Sequence, residues 1–158
     1  LMYLHILVTL KQNSKITTAA AIDKYISAEI LTSNDLLLRE IVMKNIIHGP
    51  CGDWCKNKDG TCSKHFPKLF QNETVMDENG YPTYRRRNIG GHDRLRGGTA
   101  DNKYVVLYNP ILLKRLNCHI NAEIVSTIKS VKYLYKGHDA ASVIITDGTE
   151  GNERFVRN

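Results

Sequence analysis

The sequence predicts an α+β fold, and three observations carry that prediction. Apolar runs with strand character and stretches with helical period are mixed along the chain, without the strict alternation of βαβ units. The middle third, residues 49–103, is rich in Gly, Asn, Asp, Lys and Arg and has almost no apolar period. Three of the four cysteines, Cys51, Cys55 and Cys62, crowd into that stretch, where they can staple a segment that has no core of its own. With 158 residues, 42% of them hydrophobic, the chain is long enough for one ordinary core.

The elements follow in order. Leu4 to Leu10 is aliphatic and β-branched and reads as a mostly buried strand. Thr17 and Thr18 are candidate caps for a helix reaching Ile26. Ser33, Asn34 and Asp35 open a second helix, which Leu36, Leu37, Ile41, Ile46 and Ile47 carry as an apolar face to about residue 47. His48-Gly49-Pro50 stops it. Residues 49–103 then read as loops, short hairpins and a local staple. Tyr104 to Tyr108 is a strand, and Asn109-Pro110 starts a helix over Ile111 to Leu116, with Pro where no N–H is needed. Cys118 to Val125 alternates, with Cys118, Ile120, Ala122 and Ile124 on one face and His119, Asn121, Glu123 and Val125 on the other, which predicts a strand. Ser126 caps a helix through Tyr135, Gly137 ends it, and Ala141 to Thr146 is a weak last strand.

These elements divide the chain into residues 1–48, a Cys-rich basic insert at 49–103, a second structured part at 104–150 and a tail at 151–158. Both ends read as cut: the chain opens inside a strand and closes on a segment without capping or packing logic, which points to a piece of a longer protein.

Charge narrows the partners. Lys and Arg outnumber Asp and Glu by 22 to 16, a formal net charge of +6. A basic balance favours polyanions, nucleic acid first, and equally serves plain solubility. The apolar start, Leu1 to Leu10, has neither a basic leader nor a small-residue cleavage site and is too short to span a membrane. No membrane and no small-molecule substrate is expected. Three clustered cysteines and one remote one, Cys118, fit a reducing compartment better than a disulfide scaffold.

Two constellations carry chemistry. His48, Cys51, Cys55 and Cys62 offer four N and S donors within fifteen residues, the donor type and number that tetrahedral zinc takes. A structural zinc ion, reduced thiols without metal, and a disulfide all stay open at this point. Trp54, between two of the cysteines, reads as a packing residue before a base-stacking one. The second constellation joins Tyr81, Tyr84, Arg85, Arg86 and Arg87 with Lys64 and Lys68. Guanidinium forks match phosphate oxygens and aromatic rings stack on unpaired bases, so the stretch is a candidate single-stranded DNA surface; the alternative is a solvated charge run at a turn.

Seven segments in order resemble one family. They are Leu10-Lys11-Gln12-Asn13-Ser14-Lys15-Ile16, Ile47-His48-Gly49-Pro50-Cys51-Gly52, Cys62-Ser63-Lys64-His65-Phe66-Pro67-Lys68, Gly80-Tyr81-Pro82-Thr83-Tyr84-Arg85-Arg86-Arg87, Tyr108-Asn109-Pro110, His119-Ile120-Asn121 and Lys132-Tyr133-Leu134-Tyr135-Lys136-Gly137-His138-Asp139. Together they resemble the replication-initiator (Rep, HUH endonuclease) part of Helitron transposon proteins, from about residue 3 to about residue 142. The resemblance implies an antiparallel central sheet with flanking helices, a nuclear setting, single-stranded DNA as partner, and nicking and rejoining of that DNA through tyrosine with Mg²⁺ or Mn²⁺. Family proteins carry a DNA helicase further along, so a chain of this kind also reads as part of an ATP-dependent helicase polypeptide. This sequence holds no G-x-x-x-x-G-K-[ST] loop, so ATP is not expected to bind here.

Carried over residue by residue, the resemblance implies Tyr133 as nucleophile and His5 as metal ligand, with His119 or Glu123 as a further ligand or a group orienting one. Two motifs depart from the family. Tyr3 stands where the first metal His belongs, and the segment ahead of Lys136-Gly137 is about four residues short, so Gly137 occupies the place of a second tyrosine. The expectation is a degenerate Rep-like chain that retains DNA binding and has lost strand transfer. The other readings are a zinc-stapled module with no catalysis and a relic that does not fold stably.

Overall fold

The computed structural model describes residues 6–8, 10–31, 35–78, 80–93, 98–124 and 141–143. They form an α+β arrangement of short helices and two-stranded sheets in two compact units, Leu1–Thr17 with Val125–Asn158, and Thr18–Ile124.

In the first unit, β1 (Ile6–Val8) pairs in parallel with the last strand, Ala141–Val143, in the register Ile6↔Ala141 to Val8↔Val143. Gln12–Ser14 forms a 3₁₀ turn. The long strand expected from Leu4 is therefore three residues within the described part. The helix expected from Ser126 to Tyr135, together with Tyr133 and His5, lies outside the described residues.

The second unit holds the core. Helix α1 (Ala19–Tyr25) is capped by Thr18, whose hydroxyl accepts the Ala21 N–H at 3.2 Å. Helix α2 (Leu36–Asn45) is capped by Asp35, which accepts from Leu38 N at 3.0 Å. Helix α3 (Pro110–Leu116) begins at Asn109, which accepts from Leu112 N, and ends on Asn117 in the left-handed region at φ 45°. Helices α2 and α3 pack together, and Ile30, Leu38, Ile41, Val42, Ile46, Val105, Tyr108 and Leu113 form one buried cluster. The apolar face of α2 differs from the expected one: Leu36 and Leu37 are exposed, and Leu38, Ile41 and Val42 turn inward. Leu38 and Val42 are one helical turn apart, and Ile41 lies beside them, so a single stripe results.

Two expected strands are not ladders. Residues 104–108 make isolated antiparallel bridges, Val105 to Ile47 and Tyr108 to Ser27, after a 3₁₀ turn at Asn102–Tyr104. Residues 118–124 keep the predicted alternation, with Ile120, Ala122 and Ile124 half-buried and His119, Asn121 and Glu123 exposed, and Cys118 is exposed rather than inward. The Ala122 N–H to the Leu107 carbonyl at 3.0 Å is one of the bonds that tie them to the rest of the unit. The middle of the chain forms two antiparallel pairs, β2 (Val75–Met76) with β3 (Pro82–Thr83) and β4 (His92–Asp93) with β5 (Thr99–Ala100). The last strand, Ala141–Val143, is β6. Among the described residues the strands thus pair only two by two, and no antiparallel central sheet is assembled from them.

Candidate metal centre

The cluster is built where α2 runs out. After Ile46, the helix C-cap, the chain bridges residues 104–106: Val106 N donates to the Ile46 carbonyl at 2.9 Å and His48 N to the Tyr104 carbonyl at 2.8 Å. These bonds fix the backbone of His48 against the core. Its ring stacks on Phe66, with centroids 4.2 Å apart and planes 15° from parallel. The cysteines come from one loop. Asp53–Cys55 is a 3₁₀ turn that brings Cys55 back under Cys51. Lys56 bridges Cys62, and Ser63 N donates to the Cys55 carbonyl at 2.8 Å, so the loop between the two cysteines closes as a small hairpin. Asp59 accepts from Thr61 N and Thr61 Oγ1 at its tip.

The four donor atoms converge. His48 Nε2 lies 3.2 Å from Cys51 Sγ, 3.2 Å from Cys62 Sγ and 3.7 Å from Cys55 Sγ. Cys55 Sγ and Cys62 Sγ are 3.8 Å apart, and all four atoms fall within 4.8 Å of one another. A tetrahedral ion with Zn–S of about 2.3 Å and Zn–N of about 2.0 Å requires S···S edges of about 3.8 Å and N···S edges of about 3.5 Å. The three N···S spacings and the Cys55–Cys62 spacing lie within about 0.3 Å of those edges. A disulfide, with sulfurs about 2.05 Å apart, does not describe this cluster. Among the described residues this is the one group of three or more His, Cys, Asp or Glu side chains close enough to share an ion.

Local electrostatics favour a thiolate at one corner. Burial opposes ionisation of Cys62, but the backbone N–H groups of Phe66 and Lys64, the latter 3.4 Å from Sγ, outweigh it and bring the thiol down to about 7. Burial, then hydrogen bonding to the other two thiols, pushes Cys51 up to about 11. Adjacent thiolates repel one another, and a divalent ion between them would supply the compensating charge.

The basic aromatic stretch is organised differently from expectation. Its three arginines alternate along an extended backbone, so Arg86 points opposite to Arg85 and Arg87. Arg86 is buried, and its Nη1 donates to the carbonyls of Asn102 at 2.7 Å and Val105 at 2.6 Å. Burial lowers its pKa to about 10. Arg87 grips the buried Glu29 through Nε at 2.9 Å and Nη2 at 2.7 Å, and its backbone N–H adds a third bond at 2.7 Å. Arg85 pairs with Asp23 at 3.0 Å and with Glu29 at 3.4 Å. The three arginines therefore do not share one face: Arg86 is a core residue, while Arg85 and Arg87 pair with the buried Glu29 and, for Arg85, with the half-buried Asp23. Tyr84 is placed beside the 118–124 segment. It is half-buried, its hydroxyl accepts the Ile124 N–H at 2.9 Å, and burial pushes its pKa up to about 12. Tyr81 and Lys64 are at the surface, and Lys68 is half-buried with its ammonium 5.2 Å from the Phe66 ring centre.

His119 and Glu123 are exposed. His119 Nδ1 donates to the Asn45 carbonyl at 2.6 Å, and Glu123 accepts from Asn121 at 2.9 Å. Neither joins a donor cluster among the described residues, and their expected partner His5 lies outside them. Sequence reasoning missed Glu29 and Asn102, both buried. Asn102 accepts from Ile30 N at 2.7 Å and donates to the Arg87 carbonyl at 2.8 Å. Alternation of three arginines in an extended segment could have signalled that one of them turns inward, but nothing local to Glu29 or Asn102 marks either as a partner. Trp54, expected to pack, is 85% exposed.

Among the described residues no helix is long and apolar enough to cross a membrane. No family model matches the chain, and no curated protein matches it either.

Proposed function

We propose that the chain is a zinc-stapled, single-stranded-DNA-binding piece of a Helitron-type Rep protein, acting in the nucleus without strand transfer of its own. One observation carries the zinc half: the His48 imidazole at the exit of α2 and three thiols from the loop that follows converge, with all four donor atoms within 4.8 Å of one another. His48 would hold the ion through Nε2, and Cys51, Cys55 and Cys62 through sulfur. The ion supplies structure, tying the exit of α2 to the 51–62 loop with little closure entropy. The Helitron half rests on the ordered motifs in the sequence, and the net charge of +6 supports a polyanionic partner. In the family the His pair holds Mg²⁺ or Mn²⁺ and tyrosine attacks the phosphate. Here Tyr3 and Gly137 replace one member of each pair, which favours binding over nicking by Tyr133. The alternative of a helicase polypeptide places the motor outside this sequence.

Metal analysis of the purified chain tests the reading. One equivalent of zinc is expected, with Cys51→Ser and Cys62→Ser each losing most of it, and cobalt substitution should give thiolate-to-metal absorption of a tetrahedral site. Protein purified at neutral pH without zinc, and unable to take up cobalt, refutes it.

A further inference from the structure

We infer that Trp54 is a base-stacking platform for single-stranded DNA, positioned by the metal centre. The inference rests on the DNA-binding reading above and adds the point of contact. A tryptophan offers more apolar area to a core than most side chains, yet this one is 85% exposed. It is also held. A Cβ on Gly52 would stand 2.7 Å from the indole Nε1 and 3.0 Å from Cδ1, so the pyrrole side of the ring lies against bare backbone and the rest faces solvent. Trp54 is the middle residue of the 3₁₀ turn Asp53–Cys55, closed by the Cys55 N–H to the Gly52 carbonyl at 3.0 Å. Ion binding by Cys51 and Cys55 would fix the chain on both sides of the ring and remove part of the ordering cost of stacking.

The surroundings select the ligand. The loop supplies exposed Lys56, Lys58 and Lys64 and half-buried Lys68 against two acids, Asp53 and Asp59. A centre of one neutral imidazole, three thiolates and a dication adds one negative charge, so the module remains cationic. Residues 56–61 are all polar or glycine, which is a poor rim for an apolar protein partner. An aromatic face beside ammonium groups suits an unpaired strand, with a base on the ring and phosphates on the lysines. Bases in a duplex already stack on one another and leave the ring nothing to take.

Trp54 is the sole tryptophan, so intrinsic fluorescence reads this ring alone. The zinc-loaded full chain is titrated at low salt with a labelled oligo-dT while tryptophan emission and oligonucleotide anisotropy are recorded together. Quenching that saturates in step with anisotropy is expected, with duplex DNA a weak competitor. Trp54→Ala should weaken binding roughly five- to hundred-fold with zinc content unchanged, and Trp54→Phe should recover part of the loss. Oligonucleotide binding with unchanged emission, equal affinity of Trp54→Ala, or equal competition by duplex overturns the platform while the DNA-binding reading stands. No oligonucleotide binding of any kind overturns both. The wild-type fluorescence decides the matter even if the alanine variant loses zinc.

Discussion

Replacing Asn102 by alanine should cost about 2–4 kcal/mol of folding stability. Asn102 is fully buried, and its amide joins two distant segments: Oδ1 accepts from Ile30 N at 2.7 Å and Nδ2 donates to the Arg87 carbonyl at 2.8 Å. Alanine leaves the Ile30 N–H, in a residue 1% exposed, without a partner. An orphaned buried donor costs about 1–3 kcal/mol, and the second lost bond adds about 1 kcal/mol because Arg87 is exposed enough for water to replace it. The Asn102 carbonyl keeps its bond from Arg86, so the loss is confined to the side chain. Urea unfolding of the zinc-loaded protein reads the effect as a midpoint lowered by about 1–2 M at unchanged slope, for a slope of about 2 kcal/mol/M. Asn102 also opens the turn whose Tyr104 carbonyl receives the His48 N–H, so zinc affinity should fall with stability. A loss under about 0.5 kcal/mol, within the range of surface substitutions, would refute the idea that this residue ties the segments together.

Two further perturbations have definite signs. Burial raises the pKa of Glu29, but hydrogen bonds from Arg87, with its charge and that of Arg85, outweigh burial and hold the carboxyl below its ordinary 4.5. Its stabilising contribution is complete above the ordinary value and lost as pH falls through the folded value. Acid unfolding of Glu29→Gln should therefore depend less on pH below about 4.5 than that of the wild type, and superimposable pH profiles would contradict the pairing. Gly52→Ala should push the indole off its rest, because the new Cβ meets Nε1 at 2.7 Å. A shifted tryptophan emission with zinc retained is expected, and an unchanged spectrum would place the ring elsewhere.

Helix starts were legible in the sequence because capping is local. Thr18, Asp35 and Asn109 each bond an N–H three residues on, as their residue types and the following Pro110 indicate. The inward face of α2 was not legible. The run Leu36-Leu37-Leu38 fits more than one helical stripe, and only packing against α3 selects Leu38 over its neighbours. The alternation at 118–124 was readable as one wetter and one drier face, but alternation describes burial and not pairing, so it could not show whether a ladder would form.

What the sequence by itself determined about this protein is the short-range part: three helix caps, an irregular middle, and four candidate metal donors close enough in the chain to be brought together locally. Only the tertiary structure decided the fate of the arginines. Glu29 and Arg87 lie 58 positions apart and Ile30 and Asn102 72 apart, and no local pattern records which distant carboxylate or carbonyl an extended cation will meet. Short-range geometry follows from a few backbone angles, whereas a long-range pair exists only after the core has closed around it.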